Sequence, residues 1–478
     1  MKRIIIPPFI SGVERTCSRE LERKQGNEPH DAAKESVRIS SDWLLYADGE
    51  PVPVYSAPVT RGGPHSFAQI SYEGDEPVHF EAVRIDGLTS AEILPKSYGV
   101  ICAVEGEKVK FELARTGHVT ILVDGGIEQP LTVSVNPIRA EKKPEEVNGL
   151  YFGPGIHEIN VFDFEDGQTI YLSSGAIVIA QPHPQDEVCL TAKDWAGKPI
   201  FRTCLLASGK KNVSVEGLGI LDFSLLDWHE RSPLVFRNCS NVLVRDVTFV
   251  NVPAWTVHFS GCDGVEVDNV KLFGYRENSD GIDIVSTMNA SIHDCFIRTG
   301  DDAVVVKAMI KPPVVGGKNI DCRRCIVWND KVRCYGICAE SVNDISDVFF
   351  TDCDVIRSYA DWTLELGSLV VYICDKALVK NVVFDDIRIE HECHLATNVM
   401  VTKDFWSKDV EAGNIRDVVF RNIQVTPEIG SHIAGYGPEN TVRGVRYENY
   451  VMNGKKAKTI DDVKIDIGDY ADGIEVVE

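Results

Sequence analysis

From residue 212 onward the hydrophobic and polar positions repeat. Segments starting NVSVEGLGI (212), NVLVRDVTF (241), GVEVDNVKL (264), ASIHDCFI (290), NIDCRRCIV (319), DVFFTDCDV (347), NVVFDDIRI (381), DVVFRNIQV (417) and GVRYENYVM (444) share one layout. Apolar residues stand two apart, a polar pair rich in Asp or Asn follows, and two more apolar positions close the unit. A recurrence of 23 to 36 residues is the signature of a solenoid. The units lack an amphipathic helix and are too short for propeller blades, which leaves a parallel β-helix whose coils stack at about 4.8 Å. The recurring Asp or Asn then falls at a corner, where a left-handed backbone costs these side chains little. One coil cannot bury its apolar face alone; a stack can.

Upstream the pattern changes. Residues 35–140 read as short alternating strands, among them VPVYSAPV, VHFEAVRI, VKFELA, VTILVD and LTVSV, with Gly or acidic turns, and predict a β-sandwich. The charged, proline-bearing stretch 136–149 reads as the linker, and residues 1–34 as a polar N-terminal arm. The β-helix is expected over 146–460, with 461–478 as an acidic C-terminal tail. The expected class is therefore all-β.

Composition narrows the function. The 478 residues carry a formal net charge of -23, which repels nucleic acid in the absence of a basic patch. No apolar run approaches the ~20 residues of a membrane span. The N-terminus, interrupted by two prolines and then highly charged, is a poor signal peptide, so a cytoplasmic setting is expected. Most of the 14 cysteines fall at inward-looking strand positions, where a free thiol behaves as a small hydrophobe. The pair in CRRC (322–325) lacks a matching second pair, and neither a metal nor a cofactor is expected.

The chemistry gathers in NSDGIDIVSTMNASIHDCFIRTGDD (278–302). Twenty-one residues separate Asp280 from Asp301, close to one coil, so stacking places them on one face with Asp302 alongside. Crowded carboxylates raise at least one pKa. Glycoside hydrolysis needs both a protonated acid and a carboxylate that activates water, held about 6.5–9.5 Å apart in inverting enzymes. Turn-forming aspartates are the plain alternative.

NSDGID followed by TGDD resembles the polygalacturonase family, glycoside hydrolase family 28, whose pattern is N-T-D-G-x-D followed by G-D-D. The resemblance extends through GLGILD (217–222) and NVPAWTVH (251–258) and spans about residues 150 to 455. It implies a right-handed, pectin-lyase-like parallel β-helix. Asp301 would be the general acid, with Asp280 and Asp302 positioning and deprotonating water. Asp283 would be a turn or support residue. His258 and Trp255, one coil earlier, would line the sugar site.

The departures matter as much. Where the family has G-H-G, this chain has RCYGICAES (333–341), with Tyr335 at the His position as a hydrogen-bond donor to substrate. Where the family has R-I-K, it reads DWTLELGS (361–368), with Glu365 and no cation. A carboxylate does not hold a carboxylate, so this argues against galacturonate there; Glu340 and Glu365 instead become candidate partners for neutral hydroxyls. The upstream sandwich with YFGPGIHEI (151–159) also looks like the related family 49 dextranase and isopullulanase group, which acts on neutral glucans. Lys307 is a subsite candidate, or the base of a uronate lyase. Trp406 and Phe405, in one of the two widest repeats, are candidate sugar-stacking residues. The expected function is inverting hydrolysis of an oligosaccharide, pectin-derived or neutral; the alternatives are a non-catalytic carbohydrate-binding β-helix and a uronate lyase. No membrane or nucleic-acid partner is expected, and oligomeric state is not legible in the sequence.

Overall fold

The computed structural model describes residues 2–13, 37–185, 187, 189–193, 197, 199–360, 366–391 and 394–478. The chain is almost entirely β. A seven-stranded and a five-stranded sheet come first, then two long parallel ladders of 22 and 11 strands.

The first pair of sheets is the sandwich. Alternation builds its core: Trp43, Leu45 and Ala47 on one strand, Val78, Phe80 and Ala82 on the next, and Val109, Phe111 and Leu113 on a third. These face Val119 and Ile121, and Leu131, Val133 and Val135, from the other sheet. The seven-stranded sheet is buried on both sides, because its outer face, with Tyr55, Phe67, Leu94 and Leu122, packs on Phe273, Phe296, Ile326 and Trp328 of the β-helix. The sandwich is thus fused along the solenoid's flank.

The β-helix follows from register. One inward rung of the longer ladder runs Val213, Val242, Val265, Ala290, Ile320, Val348, Val382, Val418, Val445 and Ile474. The residue before each rung member turns the corner in the left-handed region: Asn212, Asn241, Asn289, Asn319, Asp347, Asn381 and Asp417 at φ 55–60°, with Gly264, Gly444 and Gly473 in the other coils. Only Gly, Asn and Asp adopt that conformation cheaply, which explains why one of the three stands at this corner in each of these coils. Opposite, Phe236, Phe259, Ile284, Val306, Ile337, Val371, Val399 and Ile433 form an inward rung of the shorter ladder. Phe350, Phe384, Phe420 and Tyr447 stack with centroids 4.9–5.1 Å apart. Connections between parallel strands are right-handed, and the solenoid is a right-handed parallel β-helix.

Two terminal segments differ from expectation. Residues 461–478 are the last coil rather than a tail: Ile465–Ile467 and Ala471–Val477 end the two ladders. Their acids face solvent while Ile474 and Val476 pack on the core; alternation, hidden by the acidity, decides. At the other end, Arg3–Ile5 pairs antiparallel with Ser71–Glu73, so the first residues form an edge strand of the sandwich. The rest of the expected arm, 14–34, lies outside the described residues, as does Glu365.

Candidate active site

The shorter ladder carries the site on its outer face. In Ile282–Val285 and Val304–Ala308, Ile282, Ile284, Val304 and Val306 enter the core, so Asp283 and Lys307 take the opposite face. Asp280 and Asp302 sit on neighbouring coils just before these strands: the Gly281 amide donates to the Asp302 carbonyl at 2.8 Å. The coils meet closely there, since a Cβ on Gly281 would lie 2.4 Å from the Ala303 carbonyl oxygen.

Asp280, Asp301 and Asp302 each present an oxygen within 4.8 Å of the others. They line a cavity of about 380 Å³ with Trp255, Glu277, Asn278, Lys307, Arg333, Glu340 and the loop residues Asp404, Phe405 and Trp406. Asp301 accepts from the Asn278 amide at 3.0 Å and from the Asp302 amide at 2.9 Å. Burial and the neighbouring Asp302 charge push it up to about 6. Burial and then the Asp283 charge raise Asp280 well above the ordinary carboxylate range, and burial lifts Asp283 to about 7. One Asp280 oxygen, Oδ1, is buried without a hydrogen-bond partner.

The counter-charge is a single buried ammonium. Lys307 Nζ lies 3.0 Å from Asp283, 3.2 Å from Asp280 and 3.8 Å from Asp302, and 3.7 Å over the Trp255 ring. Burial works against its charge, yet the carboxylates of Asp283, Asp280 and Glu340 hold it well above the usual lysine value. Arg333 adds the second cation, its guanidinium donating to both Asp302 oxygens at 3.1 and 3.3 Å. Sequence reasoning missed Arg333, although it stands in the quoted RCYGICAES. The available signal was its spacing of 31 residues from Asp302, about one coil.

The register explains which expectations meet. Tyr335 pairs with Val304, an inward position, and its hydroxyl donates to the Cys325 carbonyl at 2.9 Å inside the core. It is therefore no substrate donor. A register shift between Val306 and Ala308 then re-aims the strand, and Glu340 reaches the cavity. Asp283 is a strand residue under the site rather than a turn. His258 pairs with Asp283 on the coil below, its ring 5.2 Å from Trp255, and is not among the residues lining the cavity. Burial, Lys307 and Arg237 lower it to about 3, so it is a neutral support rather than a sugar ligand. Trp406 does line the cavity and packs on Ala339, Val370, Tyr372 and Cys374. Its loop is pinned where Asp375 accepts from the amides of Lys408 and Asp409 at 2.5 and 2.7 Å. Phe405 stands 74% exposed at the rim.

A larger hollow of about 1300 Å³ lies on the sandwich, but its acids are already engaged, as in the His79–Glu112 and Lys108–Glu81 pairs. The Asp trio has ligand spacing for a cation, as do Glu266, Asp268 and His293. In the first set Lys307 pairs with Asp280 and Arg333 with Asp302, and Arg139 binds Asp268 of the second at 2.5 Å. Cys322 and Cys325 are buried free thiols in the solenoid core.

Comparison with known proteins bears on the family and the fold. The model of glycosyl hydrolases family 28 matches residues 228–467. An exopolygalacturonase of Arabidopsis thaliana (clone GBGE184) is 26% identical over 200 residues, covering 40% of this chain and 44% of its own length. The chain thus spans under half of that relative. Among solved structures, Dex49A from Penicillium minioluteum superposes with a TM-score of 0.62 at 14% identity, covering 98% of both chains. A polygalacturonase from Erwinia carotovora ssp. carotovora gives 0.52 at 16% identity, covering 65% of this chain and 86% of that one; at such identities the likeness is one of fold. With its family model matched across the coils that carry the acid trio, this chain belongs to glycosyl hydrolases family 28 as a divergent member.

Proposed function

We propose that the chain hydrolyses an O-glycosidic bond of an oligosaccharide with inversion, Asp301 acting as general acid and Asp280 and Asp302 holding and deprotonating the water. One observation carries the reading: three carboxylates from two successive coils converge in a cavity walled by Trp255, Phe405 and Trp406. Asp301, pushed up to about 6, can hold a proton for the leaving oxygen near neutral pH. Asp302, gripped by Arg333, takes the water's proton, while Asp280 orients the water through its open Oδ1.

The nearest oxygens, within 4.8 Å, are closer than the about 6.5–9.5 Å between carboxyl groups usual for inversion. What favours inversion is that Asp280 and Asp302 are both tied to cations, so neither is free to swing onto the anomeric carbon. Lys307, held protonated by its carboxylates, is a poor base, which weighs against a lyase. A non-catalytic binder would have no use for the repulsion stored among these acids.

Charge bears on the sugar. Six carboxylates line the cavity, from Glu277, Asp280, Asp301, Asp302, Glu340 and Asp404, against Lys307 and Arg333. Both cations are committed to Asp280, Asp283 and Asp302. Neither cation is left over to grip a uronate carboxylate, which supports a neutral sugar beside the trio, in a glycan that is pectin-derived or not. A cytoplasmic setting, which keeps thiols reduced, fits the free cysteines among the described residues. The test is kcat/KM across galacturonate, rhamnogalacturonate, α-glucan and galactoside oligomers, for the wild type and Asp301→Asn. Turnover of a neutral linkage, lost in Asp301→Asn, is expected; preferred release of galacturonate would overturn the substrate reading.

A further inference from the structure

The sandwich reaches the catalytic turn. Its loop 58–64, between the strands Val54–Ala57 and His65–Glu73, lies against the backbone that carries Asp301. Thr60 Oγ1 donates to the Tyr275 carbonyl at 2.9 Å, and Arg61 Nε to the Asp330 carbonyl at 2.9 Å. At Gly300, the residue before Asp301, the loop and the preceding coil both press close: a Cβ there would lie 2.7 Å from Thr60 Oγ1 and 2.7 Å from the Arg276 carbonyl oxygen.

A buried guanidinium joins the two sides. Arg298, three residues before Asp301 and fully buried, donates to the Arg61 carbonyl at 2.5 Å and to His65 Nδ1 at 2.8 Å. It also grips the Asp330 carboxylate at 3.0 and 3.1 Å. Next along the chain, Asn329 holds the Asp301 carbonyl at 2.6 Å. Burial and the Arg298 charge keep His65 far below its ordinary value, so this joint does not titrate near neutral pH.

From this we infer that the loop 58–64 is a positioning element of the catalytic turn Thr299–Asp302, acting through Arg298 and Asp330. The inference rests on the assignment of Asp301 as the acid. It gives the sandwich a part in the reaction that a purely accessory domain would not have. Holding a reacting group to a fraction of an ångström is worth large rate factors, and the loop adds a brace from the sandwich side to those the coils supply, where Ser279 Oγ accepts from the Gly300 amide at 3.2 Å and Asn329 donates to the Asp301 carbonyl.

The test compares Thr60→Val and Arg61→Met with Gln69→Ala and Ser97→Ala. The second pair removes sandwich-to-helix hydrogen bonds far from the turn, to the Leu218 carbonyl and the Asp354 carboxylate. Hydrogen exchange of the peptide over 297–304 and steady-state kinetics are read on all four, with Thr60→Ser as the conservative rescue. Exchange at the turn is expected to quicken, and kcat to fall by about tenfold with KM nearly unchanged, only in the first pair, Thr60→Ser staying near wild type. Equal exchange and equal kcat in both pairs would overturn the inference. A turn that loosens in a protein lacking hydrolytic turnover would uphold the buttress and sink the assignment of Asp301.

Discussion

Two rows of polar residues lie on this solenoid at the same coil spacing and behave in opposite ways. At the corners of the longer ladder, Asn381 donates to Asp347 at 2.7 Å, Asn289 to Asp263 at 2.7 Å and Asn319 to Asn289 at 2.7 Å. Asp347 and Asp263 each meet an amide, and Asp347 sits below its ordinary range, chiefly through Asn381. On the outer face of the shorter ladder, Asp280 and Asp302 stack acid on acid with Asp301 and Asp283 beside them, and burial raises three of the four. Stacking by itself is neutral. Stacking like charge on like charge, out of water, costs stability, and one buried lysine keeps it tolerable.

The contrast is broken most strongly at Asp301. Asp301→Asn should lower kcat by about 10²–10⁴-fold with KM little changed, read by steady-state kinetics on the best substrate of the panel. Next comes Lys307→Met, which leaves Asp280 and Asp283 without their cation. Breaking a buried pair costs about 3–5 kcal/mol, so its melting temperature should drop steeply at pH 8 and recover toward pH 5 as the acids take up protons.

The wild type should show a milder form of that dependence. Carboxylates raised in the folded state bind more protons than in the unfolded chain between their two pKa values, so stability falls as pH rises through that window. For Asp301 and Asp283 the window runs from 3.8 to about 6 and about 7. Asp283→Asn should therefore raise stability at pH 8 and leave it nearly unchanged at pH 3, by denaturant melts at the two pH values. The same titration of Asp301 should make kcat/KM decline above about pH 6. Least disturbed is the corner row: Asn381→Ala, at φ 55°, should cost about 1–2 kcal/mol for the strained backbone and leave kcat untouched.

How far the sequence reveals this depends on which contacts are local. The corner Asn and Asp and the inward Val and Ile recur at each coil, so the β-helix was legible, as was the sandwich from its alternation. The trio was legible because Asp280, Asp301 and Asp302 lie just outside one strand on adjacent coils. Arg333 and Tyr335 were not, because their directions depend on pairing with Ala303 and Val304 and on the irregularity that follows. A one-residue slip there exchanges core for groove. The last coil was hidden by Asp and Glu that face outward, and the contacts of Thr60 and Arg61 with the catalytic coils join residues more than 200 apart, beyond any periodic signal.

In the proposed mechanism Asp301 gives its proton to the leaving oxygen, while Asp280 and Asp302, fixed by Lys307 and Arg333, deliver a water without attacking the sugar themselves. Proton NMR of the first product, recorded before mutarotation on the preferred oligosaccharide, tests it directly. The account predicts that the anomeric configuration is inverted; a retained anomer would mean that Asp280 or Asp302 forms a bond to carbon and would contradict it.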